Sequence, residues 1–275
     1  MAKPSSPTDP DVSDIILSHK HGDHVGGLPS VLALLRRLWE ERNTDGSGTY
    51  KPPRIHKYAA PDNTLQSIIN SLPTNLYTPD PDGPLIHDLQ VFKYFPLATK
   101  ATLSSTPTIS SSLQVLHTPG HTADSVAIYV PSDDALYTAD TVLGQGTAVF
   151  EDLASLINSL HKMRNFAESK GQKETKLYPG HGPVVEEGRK LIETYIQHRL
   201  EREEQIVQVL GSEEGKVDPW TTWSIVTKIY VGYPQNLWLP AARGIDLHLK
   251  KLEKDGRVKH VGGEGSDGQW MLVKI

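Results

Sequence analysis

The stretch Asp14-Ile15-Ile16-Leu17-Ser18-His19-Lys20-His21-Gly22-Asp23-His24 decides how this chain is read. Its first five residues form a short apolar run bounded by polar ones, the pattern of a buried strand in a mixed sheet. That run passes directly into His19, His21, Asp23 and His24, three imidazoles and a carboxylate within six positions, on a turn made pliable by Gly22. Imidazole and carboxylate without thiolate suit Zn²⁺, Fe or Mn, and a loop so dense in ligands can serve two ions. A merely solvated polar loop could hold the same residues, so the rest of the chain has to arbitrate.

Three further features do so. Thr118-Pro119-Gly120-His121-Thr122 places a histidine on a Pro-Gly turn after an apolar run. Leu136-Tyr137-Thr138-Ala139-Asp140 ends a strand on a carboxylate, and Tyr178-Pro179-Gly180-His181-Gly182 ends another on a histidine. Strand ends on one edge of a sheet can converge on one place, so His121, Asp140 and His181 are candidates to join the first loop. The remaining histidines, at 56, 87, 117, 161, 198, 248 and 260, lie outside these motifs and read as ordinary surface or core imidazoles.

Working outward, Leu28 to Arg42 carries apolar residues at helical spacing with Pro29 in the first turn, where its missing N–H costs nothing. Residues 1–10 read as a loose tail and 43–53 as a loop. From Ile55 to Leu116 short strand-like runs such as Val91-Phe92-Lys93-Tyr94-Phe95 alternate with Pro- and Ser-rich turns, so strands are expected there. Ser125–Val130 and Ala135–Thr138 read as adjacent strands joined by Pro131-Ser132-Asp133-Asp134, Leu153–Ser169 as a helix, and Thr175–Tyr178 as a strand. Val185–Leu210 reads as a long charged helix. Helices over Thr221–Tyr230 and Pro240–Asp255 and a Gly-tipped hairpin over Arg257–Ile275 then complete a winged-helix-like pattern. A hydrolase domain over residues 1–185 and a second module over 186–275 are the expected organisation.

Composition narrows the function classes. With 275 residues, 37% of them hydrophobic, and 22 glycines, the chain is neither collagen-like, coiled-coil nor disordered. No cysteine is present, so disulfides and thiolate metal sites are excluded, while twelve histidines supply ligands. Met1 to Asp14 shows no apolar segment of a secretory signal, and no apolar run reaches the length of a membrane span, so a cytoplasmic location without membrane contact is expected. A net charge of −5, and 13 Lys plus Arg against 14 Asp plus Glu in residues 186–275, argue against nucleic acid as the partner.

The ordered set of an HxHxDH loop and a later His, Asp and His resembles the metallo-β-lactamase superfamily. The resemblance implies an α/β fold, an αββα sandwich, here followed by the winged-helix-like module. It also implies two Zn²⁺ ions per chain: His19, His21 and His121 for the first, Asp23, His24 and His181 for the second, and Asp140 bridging, with Asp23 and Asp140 also serving catalysis. The segment Gly144 to Leu153 and the helical tail are similar to the lactamase-beta-2-like subgroup. Its fungal members include thioesterases that release polyketides from an acyl carrier protein, and its animal members are described as endoribonucleases.

Two departures from that pattern carry expectations. Only 18 residues precede His19, so the N-terminal strands of the first sheet are expected to be missing, and an inactive truncated remnant is one alternative reading. Ala139 stands where glycine usually precedes the bridging carboxylate, which is tolerable if its φ stays negative. A thiolate leaving group needs little protonation, whereas an RNA alkoxide calls for a general acid that no motif supplies. A thioesterase in polyketide biosynthesis, with an acyl carrier protein as partner, is therefore the favoured function and a single-strand endoribonuclease its rival. Since a carrier protein is expected to be acidic around its phosphopantetheine arm, Arg36 and Arg37 on the exposed face of the first long helix, which also carries Arg42, are the candidates for a basic patch that guides it by charge, the plainer reading being that these arginines solvate the helix.

Overall fold

The computed structural model describes residues 10–46, 48–78, 87–89, 93–96, 112–169, 175–213 and 218–273. The expected tail at 1–9 and the strand-like residues Val91 and Phe92 lie outside them. A first sheet of order β1-β2-β3 joins β1 (Asp14–Ile16), β2 (Arg54–Tyr58) and β3 (His87–Leu89), all parallel. A second sheet, order β4-β5-β6-β7-β8, comprises β4 (Lys93–Pro96), β5 (Ser112–His117), β6 (Val126–Val130), β7 (Ala135–Ala139) and β8 (Lys176–Pro179). Its pairings are antiparallel except β7 with β8, whose parallel register requires a crossover, supplied by α4 (Leu153–Ser169).

Three apolar layers stack these sheets into the expected αββα sandwich. A one-turn α1 (Gly22–Val25) leads into α2 (Leu28–Arg42), whose buried Leu28, Leu32, Leu35 and Trp39 recur at one-turn spacing. Leu28 and Leu32 pack with Leu17, Val25 and Ile55 on the outer face of the first sheet. Between the sheets, Val115 and Val126 meet Ile16 and Tyr58. On the far face Leu116, Ala127 and Leu136 of the second sheet pack against α4 and α5 (Gly188–Leu210).

One segment departs from the expected all-strand reading of 55–116: α3 (Thr64–Asn70) is a helix. Leu65 and Ile69, four residues apart, are buried and Ile68 packs beside them, so a helical stripe of three apolar residues prevails in a region of otherwise extended chain. The helix expected from Val185 begins only at Gly188, because Val185 exchanges two backbone hydrogen bonds with Leu177 at 2.8 and 3.0 Å. A Cβ at position 188 would run into the Thr175 carbonyl.

Beyond α5, α6 (Thr222–Ile229) and α7 (Trp238–Lys254) enclose a separate core with Ile206, Leu210, Ile225, Ile245, Leu249 and Trp270. The hairpin of β10 (Val258–Gly262) and β11 (Gln269–Leu272) gains a third strand, β9 (Trp220–Thr221), too short to show in the sequence. Helix α5 contributes Ile192, Tyr195 and Ile196 to the sandwich core, and Ile206 and Leu210 to this second core.

Candidate metal centre

The site is assembled where strand ends of both sheets meet. Leu17 donates its amide to the His56 carbonyl at 2.8 Å, and Val126 donates to the Ser18 carbonyl at 2.9 Å, so the chain leaving β1 is tied to both sheets just before His19. His19 is fully buried there. His21 caps α1, and amides of His24 and Val25 bond back to its carbonyl at 3.0 and 3.2 Å. This single turn places His21, Asp23 and His24 around His19, with buried Val25 as its anchor. Gly22 itself uses no glycine-only conformation, and a Cβ there would meet open space.

His121 arrives from the β5–β6 connection. Gly120, at φ +134°, abuts the Leu156 backbone so closely that a Cβ would collide with it. Asp140 follows β7, and here an expectation fails. Ala139 does not keep a negative φ but sits at +46°, in the left-handed region that costs an L-residue about 1–2 kcal/mol. The surroundings enforce it: the Ala139 carbonyl accepts from Gly180 N at 2.8 Å, and Thr138 Oγ1 donates to the Val142 carbonyl at 2.8 Å. Gly180 in turn has no room for a side chain, which would run into Asp140 Oδ1 and the His24 ring.

All seven residues singled out in the sequence come together, in two groups. His19, His21 and His121 turn ring nitrogens toward one point, with separations of 3.1, 3.2 and 2.9 Å. Asp23, His24, Asp140 and His181 form the other group. In it His24 Nε2 lies 3.2 Å from His181 Nε2 and 3.3 Å from Asp140 Oδ1, and His181 Nε2 lies 3.0 Å from Asp23 Oδ2. Asp140 Oδ2 is 3.4 Å from His181 Nε2 and 3.8 Å from His121 Nε2, so this carboxylate faces both groups.

The donor chemistry fits metal ions. Ligands 2.0–2.1 Å from a tetrahedral ion stand about 3.3 Å apart, close to these separations. His121 Nδ1 donates to the Val149 carbonyl at 2.8 Å, which leaves its Nε2 as a lone pair facing the other two rings. Burial, reinforced by the charges of His24, His121 and His21, pushes His19 down to about 3, so it is neutral and able to ligate. Burial likewise lowers His121. Asp140 Oδ1 is buried without a hydrogen-bond partner among the described residues, as a carboxylate built for a cation would be.

The supports behind these candidate ligands leave no mark in the sequence, because they act through backbone groups. Tyr195 Oη accepts from Leu143 N at 3.1 Å and donates to the Gly146 carbonyl at 3.0 Å, while Arg199 Nη2 donates to the Ala148 carbonyl at 2.9 Å. Helix α5 thus holds the 143–150 segment whose Val149 carbonyl orients His121. A cavity of about 740 Å³ opens beside His21 and His121 and runs between this segment, α5 and α7. The basic patch expected on α2 is instead neutralised. Arg36 pairs with Glu40 at 2.6 Å, Arg37 with Glu41 at 3.7 Å and Arg42 with Asp11 at 2.6 Å. No helix among the described residues is long and apolar enough to cross a membrane.

Comparison with known proteins accords with this geometry. The Metallo-beta-lactamase superfamily pattern matches residues 6–36 and 63–181, and that of the Beta-lactamase associated winged helix domain matches 221–270. A Drosophila melanogaster protein named Beta-lactamase-like protein 2 homolog is 33% identical over 90% of this chain and 70% of its own length. An Aspergillus novofumigatus protein named Atrochrysone carboxyl ACP thioesterase is 29% identical over 90% of this chain and 63% of its own. The structure of a beta-lactamase domain protein from Burkholderia ambifaria, 15% identical, superposes with a TM-score of 0.64 over 95% of this chain and 74% of that one. With the superfamily pattern matched over residues 6–36 and 63–181, with strand ends gathering seven metal-competent side chains, and with a winged-helix module behind them, the chain belongs to the metallo-β-lactamase superfamily of metal-dependent hydrolases.

Proposed function

We propose that this protein is a dinuclear zinc thioesterase that releases an acyl chain, a polyketide, from an acyl carrier protein. The observation that carries the reading is the cavity opening at His21 and His121. Val149, Phe150 and Leu247 give it apolar wall where an acyl chain would lie beside the donor groups. The similarity to a carrier-protein thioesterase supports the same choice.

In this reading His19, His21 and His121 would hold one ion and Asp23, His24 and His181 the other, with Asp140, whose carboxylate faces both groups, serving the two. Bound zinc supplies Lewis acidity toward the thioester carbonyl and lowers the pKa of water. The chain's own part is to hold and orient. The Val149 carbonyl fixes the His121 tautomer. Asp140 keeps the two groups in register. Asp23, its side chain more than half exposed at the mouth, is the carboxylate placed to take the proton that an attacking water gives up. A cysteine-like thiolate leaves without protonation at neutral pH more readily than an alkoxide does, so no further acid is required.

The test offers the zinc-loaded protein an acyl-carrier-protein thioester, a small acyl thioester and single-stranded RNA. Hydrolysis of the thioesters with RNA intact is expected. Cleavage of RNA with neither thioester turned over would make the protein an endoribonuclease instead, and no turnover of any of the three would return the remnant reading.

A further inference from the structure

Ten arginines occur in the chain, and their pairing divides cleanly. Arg36, Arg37, Arg42, Arg54, Arg164, Arg189 and Arg257 each have a carboxylate within 4.0 Å. Arg199, Arg202 and Arg243 have none among the described residues, and all three line the cavity beside His21 and His121. Arg199 and Arg202 are half-buried and Arg243 is exposed, so the three give this concave wall a local positive field in a protein of net charge −5, which would draw an anion.

Their poses suit that task. The Arg199 guanidinium lies 4.6 Å from the Phe150 ring centroid and the Arg202 guanidinium 4.5 Å from that of Tyr230. Each is held at cation–π distance from a ring, Arg199 spends one N–H on the Ala148 carbonyl, and the other guanidinium donors remain for an acceptor. Arg199 and Arg202 are three apart on α5 and so project to the same side, opposite Arg243 on α7. Of the cavity's two carboxylates, Glu151 pairs with Lys20 at 3.0 Å and Glu201 accepts from the Gln197 amide at 3.1 Å, and among the described residues neither comes within 4.0 Å of the three guanidinium groups. The buried His248 ring, held near 3 by burial and by Arg199, Arg202 and Lys251, adds no charge of its own at neutral pH.

We infer that Arg199, Arg202 and Arg243 form an anion site for a phosphate on the substrate's arm, distant from the bond that is cut. This rests on the thioesterase reading for the identity of the arm, which in a carrier-protein thioester is phosphopantetheine. A polynucleotide fits less well. Cations for successive phosphates would have to continue across the module's surface, where Arg189 and Lys190 are paired with Glu168 and Glu187.

Calorimetry of the zinc-loaded protein with S-methyl phosphopantetheine and S-methyl pantetheine tests the site without turnover. The phosphorylated probe should bind at least about tenfold more tightly, and Arg202→Ala/Arg243→Ala should abolish that preference. Arg199 is spared because it also supports Ala148. Equal affinity for both probes in the parent, or an undiminished preference in the double variant, would overturn the site. So would single-stranded RNA binding that depends on Arg202 and Arg243 without any preference between the probes. Because the probes carry no scissile bond, a failure of thioester hydrolysis in its own assay stays distinct from a failure here.

Discussion

The two halves of the candidate metal centre are built differently. In the trinitrogen group His19 is 0% and His121 3% exposed, and the latter is braced by a backbone carbonyl. In the mixed group the side chains of Asp23 and His181 are 58% and 51% exposed. The packing of two sheets therefore organises His19 and His121 of the first group, and a one-turn helix and a Pro-Gly turn at the surface organise the exposed Asp23 and His181 of the second, while His21 caps that same helix and Asp140 follows the end of β7. A preorganised site loses little freedom on binding its ion, whereas an exposed one must be ordered by it, so the buried half should hold metal more tightly.

The largest effect should come from the residue the halves share. Asp140→Ala removes the carboxylate facing His24, His181 and His121, and kcat/KM should fall by at least about a thousandfold with metal lost from both halves in elemental analysis. Retention of full metal content would break the view that one carboxylate serves both. Next, His181→Ala should retain about one metal equivalent under mild chelation, while His121→Ala under the same conditions should retain less. Equal losses in the two variants would erase the asymmetry.

A third test concerns the strand that delivers the buried half. Asp14 on β1 accepts from Arg54 at 2.8 Å and His56 at 2.7 Å; burial opposes its charge, but these bonds outweigh it and hold the carboxyl down at about 2. With its pKa below the unfolded value near 3.8, its contribution is present in full above that value and is lost as pH falls through 2. Asp14→Asn should accordingly cost about 2 kcal/mol in denaturant unfolding at pH 7 and nothing near pH 2. The smallest effect is at the hinge of the exposed half. Ala139→Gly relieves the left-handed strain and should stabilise by about 1 kcal/mol, whereas a loss would show that the Ala139 methyl packs better than its φ suggests.

The candidate ligands are legible because each is a side chain of metal-binding type and the motifs that carry them follow apolar runs. His19, His121, Asp140 and His181 announce themselves as polar residues at strand ends. The left-handed turn at Ala139 was not legible, since alanine gives no sign of positive φ and glycine would have. Nor was the Val149 support, because a carbonyl has no residue type. Helix α3 was missed for its shortness among strand-like runs. Charge misled in two directions: α2 displays Arg36 and Arg37, whose carboxylates sit one turn on, and the near balance of residues 186–275 conceals that Arg199, Arg202 and Arg243 have no carboxylate partner among the described residues. Pairing is a property of the folded chain that a count of charges cannot carry.

Helix α5, which lends Ile192, Tyr195 and Ile196 to the sandwich and Ile206 and Leu210 to the second core, also sets an order of events during synthesis. When His181 has left the ribosome all seven candidate ligands exist, yet the outer face of the second sheet, covered by α4, still lacks α5 beside it, and the carbonyl that orients His121 still lacks Tyr195 and Arg199 behind its loop. The nascent hydrolase is thus chemically complete before it is physically closed. Early capture of an ion by the buried trio would act as a placeholder, holding the two sheets together until the helix arrives.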